Sequence, residues 1–386
     1  MTKRKLKLIA VVICIFSCMI SSVSAAYIPD NAATLQKMTN GGNQYIYSDN
    51  PEMLWDGTTT NPGSWVNNFS GRSGAYTIEQ ALTSNTLYDA YFYHINKTQS
   101  KTIKVGVYLY TTTGTATATI YNKKVVSKDN STLTDDAMCA GVETGYQQST
   151  NYQTLNITTD GTFIAYDTIS PLMLINGHVM FKTTSSNMKC RIVFLDSTST
   201  VNPKTLGKAI AMSTGVTGLF PCDVKYVSYN YSNVSSSGKH GFYLALSGSA
   251  MGKNSGEYDI GSNLININND QLQGNYGIVY NMVLSGCAGK TIRITADWDT
   301  IWNSSSGTWC VCETFAYCPG GSTSSWTSQR THSIYNKRDP QTNIKTKYTG
   351  SEPTFIDVPV PAGNNSYNFK FILPGSNFGN VYFEII

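Results

Sequence analysis

The sequence predicts an all-β protein in which two tandem antiparallel β-sandwiches of the jelly-roll type follow a signal peptide. Segments with alternating apolar and polar residues recur from about residue 87 to the C-terminus, and Gly- and Asn-containing turns separate them. No stretch after the signal carries a long apolar period of 3.6 residues. Only one short helix is predicted, near Asp135–Gly141.

The first 25 residues have the three parts of a cleavable signal peptide. Four basic residues precede an apolar stretch, and small residues follow it. Val23 and Ala25 stand at the −3 and −1 positions that signal peptidase requires, and so, one residue later, do Ser24 and Ala26. An uncleaved anchor helix and a lipoprotein modified at Cys18 are the alternatives. The apolar stretch is short for a span of roughly 20 residues. We therefore expect a secreted, extracellular protein with no membrane span after cleavage.

Cleavage changes the charge of the chain. The whole sequence has 28 Lys and Arg against 24 Asp and Glu, and the signal holds four of the basic residues and no acidic one. The mature chain is therefore formally neutral, and it lacks the basic field that would hold phosphates. This argues against nucleic acid as a partner. Charged residues make up only 13% of the chain, so Ser, Thr, Asn, Gln and Tyr must supply its surface polarity.

The length of the mature chain favours two domains. The segment 197–206 is rich in Ser and Thr and contains Asn202-Pro203, which is typical of a linker. We predict a signal peptide over 1–25, an N-terminal sandwich over 26–196 and a C-terminal sandwich over 207–386.

The predicted strands of the first half form a meander. It contains Leu87–Ile95, Ile103–Tyr110 and Ala116–Tyr121, and the pair Asn176-Gly177 predicts a tight hairpin between Leu172–Ile175 and His178–Thr183. Strand patterns resume after the linker, at Val224–Tyr231, Gly241–Leu246, Gly277–Leu284, Thr291–Trp298, Thr308–Tyr317, Thr354–Val360, Tyr367–Leu373 and Phe378–Ile386.

The two halves share one sequence pattern. Segment 90–105 aligns without gaps with segment 279–294, and Lys101–Val105 matches Lys290–Ile294. We interpret this as the same hairpin in two related sandwiches. Convergence of unrelated segments on a favourable hairpin pattern is the alternative.

Seven of the nine cysteines remain after cleavage, so at least one is unpaired within the chain. Cys287, Cys310, Cys312 and Cys318 are the candidates for disulfides, because an exported protein meets an oxidising environment. A metal site built from the same four residues is the alternative. We favour disulfides and predict no metal site.

Candidate catalytic groups are few. Asp297 and Asp299 share one strand face, and a glycoside hydrolase needs two carboxyl groups. One strand cannot place the two carboxyl groups on both sides of a glycosidic bond. The alternatives are that Asp297 and Asp299 are solvated strand residues or Ca²⁺ ligands. No cofactor other than Ca²⁺ is predicted. The four histidines lack metal-ligand spacing, and we expect structural or surface roles for them.

Aromatic side chains are the most abundant candidates for ligand binding. Trp298, Trp302, Trp309 and Trp326 could stack on sugar rings if they are exposed. The alternative is that such residues cover the sheet.

Three short segments carry a resemblance to known proteins. Ile46–Glu52, Tyr91–Thr98 and Gly274–Tyr280 are similar to segments of an uncharacterised group of secreted proteins from clostridia-like bacteria. Many of those proteins also contain a domain of the copper amine oxidase N-terminal type, which is not evident in this sequence. The resemblance implies export and β architecture, and it implies no catalytic residues and no copper site.

These observations lead to three hypotheses of function. The first is a non-enzymatic extracellular protein of surface structure, adhesion or matrix, which contacts a surface or matrix polymer and associates with itself. The second is a carbohydrate-binding module for polysaccharide. The third is a secreted glycoside hydrolase that uses Asp297 or Asp299.

Overall fold

The protein is nearly all β in a computed structural model, which describes residues 32–33, 35, 38–57, 65–129, 135–150, 152–233, 240–246, 254–268, 270–296, 311–333, 355–363, 365–375, 377 and 380–386. The predicted signal peptide lies outside these ranges. One α-helix, α1, spans Asp135–Gln147. The strands are β1 (Ala32–Ala33), β2 (Thr39–Gly41), β3 (Gln44–Ser48), β4 (Met53–Trp55), β5 (Val66–Asn67), β6 (Gly74–Ala81), β7 (Leu87–Asn96), β8 (Ile103–Thr111), β9 (Ala116–Asp129), β10 (Gln153–Ile157), β11 (Thr162–Ile169), β12 (Met173–Thr183), β13 (Met188–Asp196), β14 (Thr217–Phe220), β15 (Val224–Asn230), β16 (Gly241–Leu244), β17 (Val279–Ser285), β18 (Thr291–Ala296), β19 (Val311–Pro319), β20 (Thr327–Ser333), β21 (Phe355–Pro359), β22 (Ser366–Ile372) and β23 (Val381–Ile385).

The first sandwich is built from two sheets. Sheet I follows the order β10-β9-β12-β7-β3-β14, with β4 and β5 at its side, and sheet II follows the order β11-β8-β13-β6. The side chains between them form one apolar core, which includes Phe92 from sheet I and Val105 and Phe194 from sheet II, all fully buried. Burial of this apolar surface is the main force that holds the sheets together.

The second sandwich repeats this plan. Sheet III follows the order β20-β19-β22-β17-β15-β2, and sheet IV follows the order β21-β18-β23-β16-β1. Its core is rich in aromatic rings, with Phe371 and Phe383 in edge contact at 5.1 Å between ring centroids. The six strands of sheet III match the main path of sheet I in order. The strands β21-β18-β23-β16 of sheet IV match sheet II, and β1 adds a fifth strand to sheet IV. The fold thus contains an internal duplication.

Side-chain environments support the same duplication. Gly74 begins β6 and Gly241 begins β16, and each lies against the sheet neighbour that the duplication pairs with it. A Cβ atom on Gly74 would lie 2.2 Å from the carbonyl oxygen of Phe194, and one on Gly241 would lie 2.2 Å from that of Phe383. Neither place has room for a side chain. In both sandwiches, the glycine allows the carbonyl oxygen of the neighbouring strand to approach the backbone closely.

The repeated segments 90–105 and 279–294 occupy equivalent places, but they are not hairpins. Strands β7 and β8 lie in opposite sheets of the first sandwich, and β17 and β18 lie in opposite sheets of the second. Each segment is an arch that crosses the core. The relation between the halves that the sequence predicts is thus present, while the predicted pairing within each segment is wrong.

The short strands β2 and β14 are exchanged between the two repeats. Thr39–Gly41 precedes β3 in the chain but pairs with β15, and Thr217–Phe220 precedes β15 but pairs with β3. Thr39 lies opposite Tyr226 in the β2–β15 ladder, and Thr217 lies opposite Ser48 in the β14–β3 ladder. Each repeat therefore supplies an edge strand to the other.

Two short connections carry this exchange, residues 42–43 between β2 and β3 and residues 221–223 between β14 and β15, and they contact each other. The carboxylate of Asp223 accepts hydrogen bonds from the backbone N–H of Asn43 at 2.6 Å and from its side-chain amide at 2.8 Å. Gly42 has a φ of 72°, and a Cβ atom there would lie 1.8 Å from the Asp223 carboxylate. Glycine is thus required where the first connection bends.

The sheets divide the chain at other places than the predicted domain limits. The first sandwich takes β14 from beyond the predicted linker at 197–206, and the second takes β1 and β2 from the N-terminal part. The limits predicted at 26–196 and 207–386 missed the exchange because a three- or four-residue strand gives almost no sequence signal. Most ladders are antiparallel, as predicted, but β3–β7, β15–β17, β1–β16, β4–β5 and β4–β7 are parallel.

Two local predictions change in the structure. The helix is longer than predicted and reaches Gln147. Asn176 and Gly177 form no turn, because both lie inside the continuous strand β12. The ring of Phe92 packs where a Cβ atom of residue 177 would be, and the Asn176 amide donates to the Phe92 carbonyl at 3.1 Å. Tertiary packing has overridden the turn propensity of this pair.

Within the described ranges, no helix has the length and apolar character needed to cross a membrane.

Candidate functional site

The two sandwiches meet along helix α1 and the outer face of sheet I. Gln148, just after the helix, donates to the Trp326 carbonyl at 2.8 Å, and the Ser328 hydroxyl donates to the Ala140 carbonyl at 3.0 Å. From sheet I, the Tyr45 hydroxyl donates to the Tyr276 carbonyl at 2.7 Å. The helix thus joins its own sheet to the second sandwich.

A buried charged cluster lies beneath this helix. Nδ1 of His178 on β12 lies 2.9 Å from Oε2 of Glu143 on α1, a hydrogen-bond distance. Its Nε2 lies 2.9 Å from Asp89 Oδ2 on β7, a distance for an ion pair without the alignment of a hydrogen bond. Tyr146 of α1 donates to the other Asp89 oxygen at 2.8 Å, and its ring stacks on the imidazole at 3.8 Å.

The electrostatics of the cluster follow from its burial and its charges. Burial lowers the pKa of His178, but the neighbouring Asp89 and Glu143 outweigh it and raise the pKa to about 10. Burial raises the pKa of Glu143 although His178 opposes that shift. The imidazole is therefore a cation at neutral pH, held between two carboxyl groups.

The same cluster has no opening through which a substrate could reach it. The side chains of His178 and Glu143 are fully buried, and that of Asp89 is 4% exposed. A histidine between two carboxyl groups is a combination that catalysis uses. Here its geometry serves to clamp the helix to the sheet.

An open groove lies elsewhere, at the edge of the first sandwich between β9–β10 and β11. It has a volume of about 440 Å³, and its lining includes Lys123, Phe163 and Tyr166. Tyr166 is 49% exposed. The Lys104 ammonium lies 5.2 Å from the centre of that ring, within the range of a cation–π contact. The groove offers an aromatic face next to polar groups.

The tryptophans predicted to bind sugar do not form an exposed platform in the described part of the chain. Trp326 is only 3% exposed and packs against Cys318 and Ile372. Its ring face is therefore closed to a sugar. Trp298, Trp302 and Trp309 lie outside the described residues, as do Asp297 and Asp299.

The cysteines predicted to form disulfides are described in part. Cys287 and Cys318 are buried free thiols, and they are not joined to each other. Cys287 donates to the Leu284 carbonyl at 3.5 Å, and Cys318 contacts the Ser322 carbonyl. Cys310 and the side chain of Cys312 lie outside the described residues. Among the described residues, no group of three or more His, Cys, Asp and Glu side chains could hold a metal ion.

Sequence reasoning missed both the groove and the buried cluster. His178, Asp89 and Glu143 are far apart in the chain, and only the fold brings them together. One signal was available, because Glu143 falls on the side of α1 that carries the buried residues Cys139, Val142 and Tyr146. A carboxyl group on such a face requires a partner.

Comparisons with known proteins gave distant likenesses only. No family model matches the chain, and no curated protein matches it. Among solved structures it is similar to Lac15 from a marine microbial metagenome, at 9% identity and a TM-score of 0.15, over 90% of this chain and 63% of that one. It is also similar to the N-terminal CBM22-1-CBM22-2 tandem domain of Paenibacillus barcinonensis Xyn10C, at 10% identity and a TM-score of 0.13, over 74% of this chain and 78% of that one. The chain thus spans less than two thirds of the length of Lac15, and TM-scores this low carry no argument about fold or function.

Proposed function

We propose that this chain is a secreted, non-enzymatic protein of surface structure, adhesion or matrix. The observation that carries the proposal is the interlocking of two duplicated sandwiches by reciprocal strand exchange. The buried charged cluster serves the same end, since it fixes the helix that joins the two halves. Two interlocked sandwiches resist separation from each other. This mechanical stability suits a protein with a structural role outside the cell.

Export and assembly are tested on the protein made by its own cells. We expect it in the medium or surface fraction, with a mature N-terminus at Ala26 or Tyr27. Electron microscopy of the purified mature protein should then show filaments, lattices or attachment to a polymer. A cytoplasmic protein that retains Met1 would contradict export. Dispersed single particles that bind no polymer would contradict the structural role.

A second function is favoured by the groove at Tyr166. The exposed ring could stack on a sugar, while Lys123 and Lys104 stand beside it. In this proposal, the first sandwich binds a polysaccharide chain of the surface or matrix to which the protein belongs.

Substitution of Tyr166 by alanine tests this binding. An aromatic contact contributes roughly 0.5–1.5 kcal/mol, so Tyr166→Ala should weaken binding to a polysaccharide that wild type retains by up to about tenfold. Tyr152 is 69% exposed and does not line the groove, so Tyr152→Ala is the matched control. Affinity electrophoresis in gels containing soluble polysaccharides measures both variants. Equal retardation of wild type and Tyr166→Ala on every polysaccharide would refute the groove as the binding site.

A further inference from the structure

A second polar cluster lies at the exchanged strand β2. Lys225 on β15 stands directly opposite Asn40 on β2 in the ladder. The side chain of Lys225 is fully buried, on the face of β15 that also presents Val227 and Tyr229 to the second core. A lysine in this apolar phase is unusual, because buried ammonium groups require several partners.

The contacts of Lys225 place an amine beside an amide and a carboxylate. Its Nζ donates to Asn40 Oδ1 at 2.6 Å, to Asp259 Oδ2 at 2.6 Å and to the Gly256 carbonyl at 3.0 Å. The Asn40 amide nitrogen donates to Asp259 Oδ1 at 2.9 Å. The Asp259 carboxylate therefore contacts both the Lys225 amine nitrogen and the Asn40 amide nitrogen.

We propose that Lys225 and Asn40 form an intramolecular isopeptide bond, with Asp259 as the group that moves the protons. Asp259 takes a proton from the Lys225 ammonium, and the free amine attacks Cγ of Asn40. The Cγ–Nδ2 bond then breaks, and Nδ2 leaves as ammonia with the proton returned by Asp259. The attacking nitrogen gives up a second proton to become the amide N–H, and the ammonia takes up that proton and departs as an ammonium ion. A lysine ammonium and a primary amide become a secondary amide and an ammonium ion, so no oxidant or other reactant is required.

The surroundings favour this step. The geometry holds the amine and the amide together, as in fast intramolecular reactions. Asn40 lies at the exposed rim of the sheet, which gives ammonia a way out. In the first sandwich, the ladder of β14 with β3 pairs Thr217 with Ser48, Gly218 with Tyr47, Leu219 with Ile46 and Phe220 with Tyr45, and none of these residues is a lysine. That site has no amine, so the bond forms at one of the two exchanged strands and locks the N-terminal strand to the second sandwich.

The mass of the denatured mature protein tests the proposal. We expect a mass lower than that of the sequence by one ammonia, and a digest that contains one branched peptide with Asn40 joined to Lys225. Lys225→Arg should restore the full mass, because arginine retains the charge but is not a nucleophile at neutral pH. Asp259→Asn should abolish the bond or reduce it severalfold.

The matched control is Lys204→Arg. Lys204 also lies beside an aspartate, with its Nζ 3.6 Å from Asp160, and that variant should keep the deficit of one ammonia. A wild-type protein with the full mass of its sequence and no branched peptide would overturn the proposal and leave an ion pair only. A deficit that persists in Lys225→Arg would also overturn it. The wild-type mass decides the matter even where a variant does not fold.

Discussion

Replacement of His178 by leucine is expected to lower the free energy of unfolding by about 3–5 kcal/mol, the range for a buried ion pair that loses one partner. The substitution leaves Asp89 and Glu143 beneath helix α1 with no cation between them. It also removes the ring on which Tyr146 stacks. Urea titration of wild type and variant measures the difference.

Two further variants separate charge from packing. Lys101→Met breaks the Lys101–Asp196 pair, whose side chains are 34% and 18% exposed, and should cost less than about 1 kcal/mol. Adding Asp89→Asn and Glu143→Gln to His178→Leu should recover stability, because the stranded charges are then gone. A His178→Leu protein as stable as wild type, or one that the added changes destabilise further, would contradict the clamp.

The pH dependence of the free energy of unfolding also reports the charge of His178. The pKa of His178 is about 10 in the folded protein against 6.5 for an ordinary histidine. Folding therefore favours the protonated ring. This contribution is fully present below pH 6.5, and it is lost as the pH rises through about 10. The stability difference between wild type and His178→Leu should narrow over that interval, and a difference that grows with pH would refute a charged His178.

A fragment of residues 42–220 is expected to fold alone, whereas a fragment of residues 26–206 is not. The first contains every strand of the first sandwich, from β3 to β14. The second lacks β14, which leaves the edge of β3 unpaired and removes Thr217, a fully buried residue that bonds Ser48 and Asn50. Each buried polar group that loses its partner costs about 1–3 kcal/mol, a large share of the stability of a domain.

Circular dichroism with thermal unfolding compares the two fragments. The 42–220 fragment should unfold in one cooperative transition, and the 26–206 fragment should show little fixed structure or should aggregate through its bare edge. A 26–206 fragment as stable as the 42–220 fragment would show that β14 contributes nothing to the first sandwich.

Sequence patterns predicted the parts of this fold that depend on local periodicity. Strand Ile103–Thr111 alternates cleanly, and the structure reproduces it to within one residue. The match of segment 90–105 to segment 279–294 revealed the duplication. The turn at Asn176-Gly177 failed because the Phe92 ring, distant in sequence, decides the backbone there.

The candidate sites depend on contacts between distant segments, which periodicity does not report. Glu143 and Lys225 could still have been noticed, since each is a charged residue in the apolar phase of its element. Their partners could not be predicted from the chain alone. Asn40 reaches Lys225 only because β2 leaves its own repeat instead of forming a hairpin with β3, the next strand in the chain.

That choice between exchange and hairpin is decided by disulfide trapping. Ser48 lies opposite Thr217 in the exchanged ladder, with their hydroxyl oxygens 3.2 Å apart. In a closed hairpin of β2 and β3 with Asn43 and Gln44 as its two-residue turn, Ser48 would lie opposite Thr39 instead. We predict that Ser48→Cys/Thr217→Cys forms a new disulfide under mild oxidation, and that Ser48→Cys/Thr39→Cys does not, as judged by peptide mapping against wild type. A disulfide in the second pair and none in the first would contradict the strand exchange.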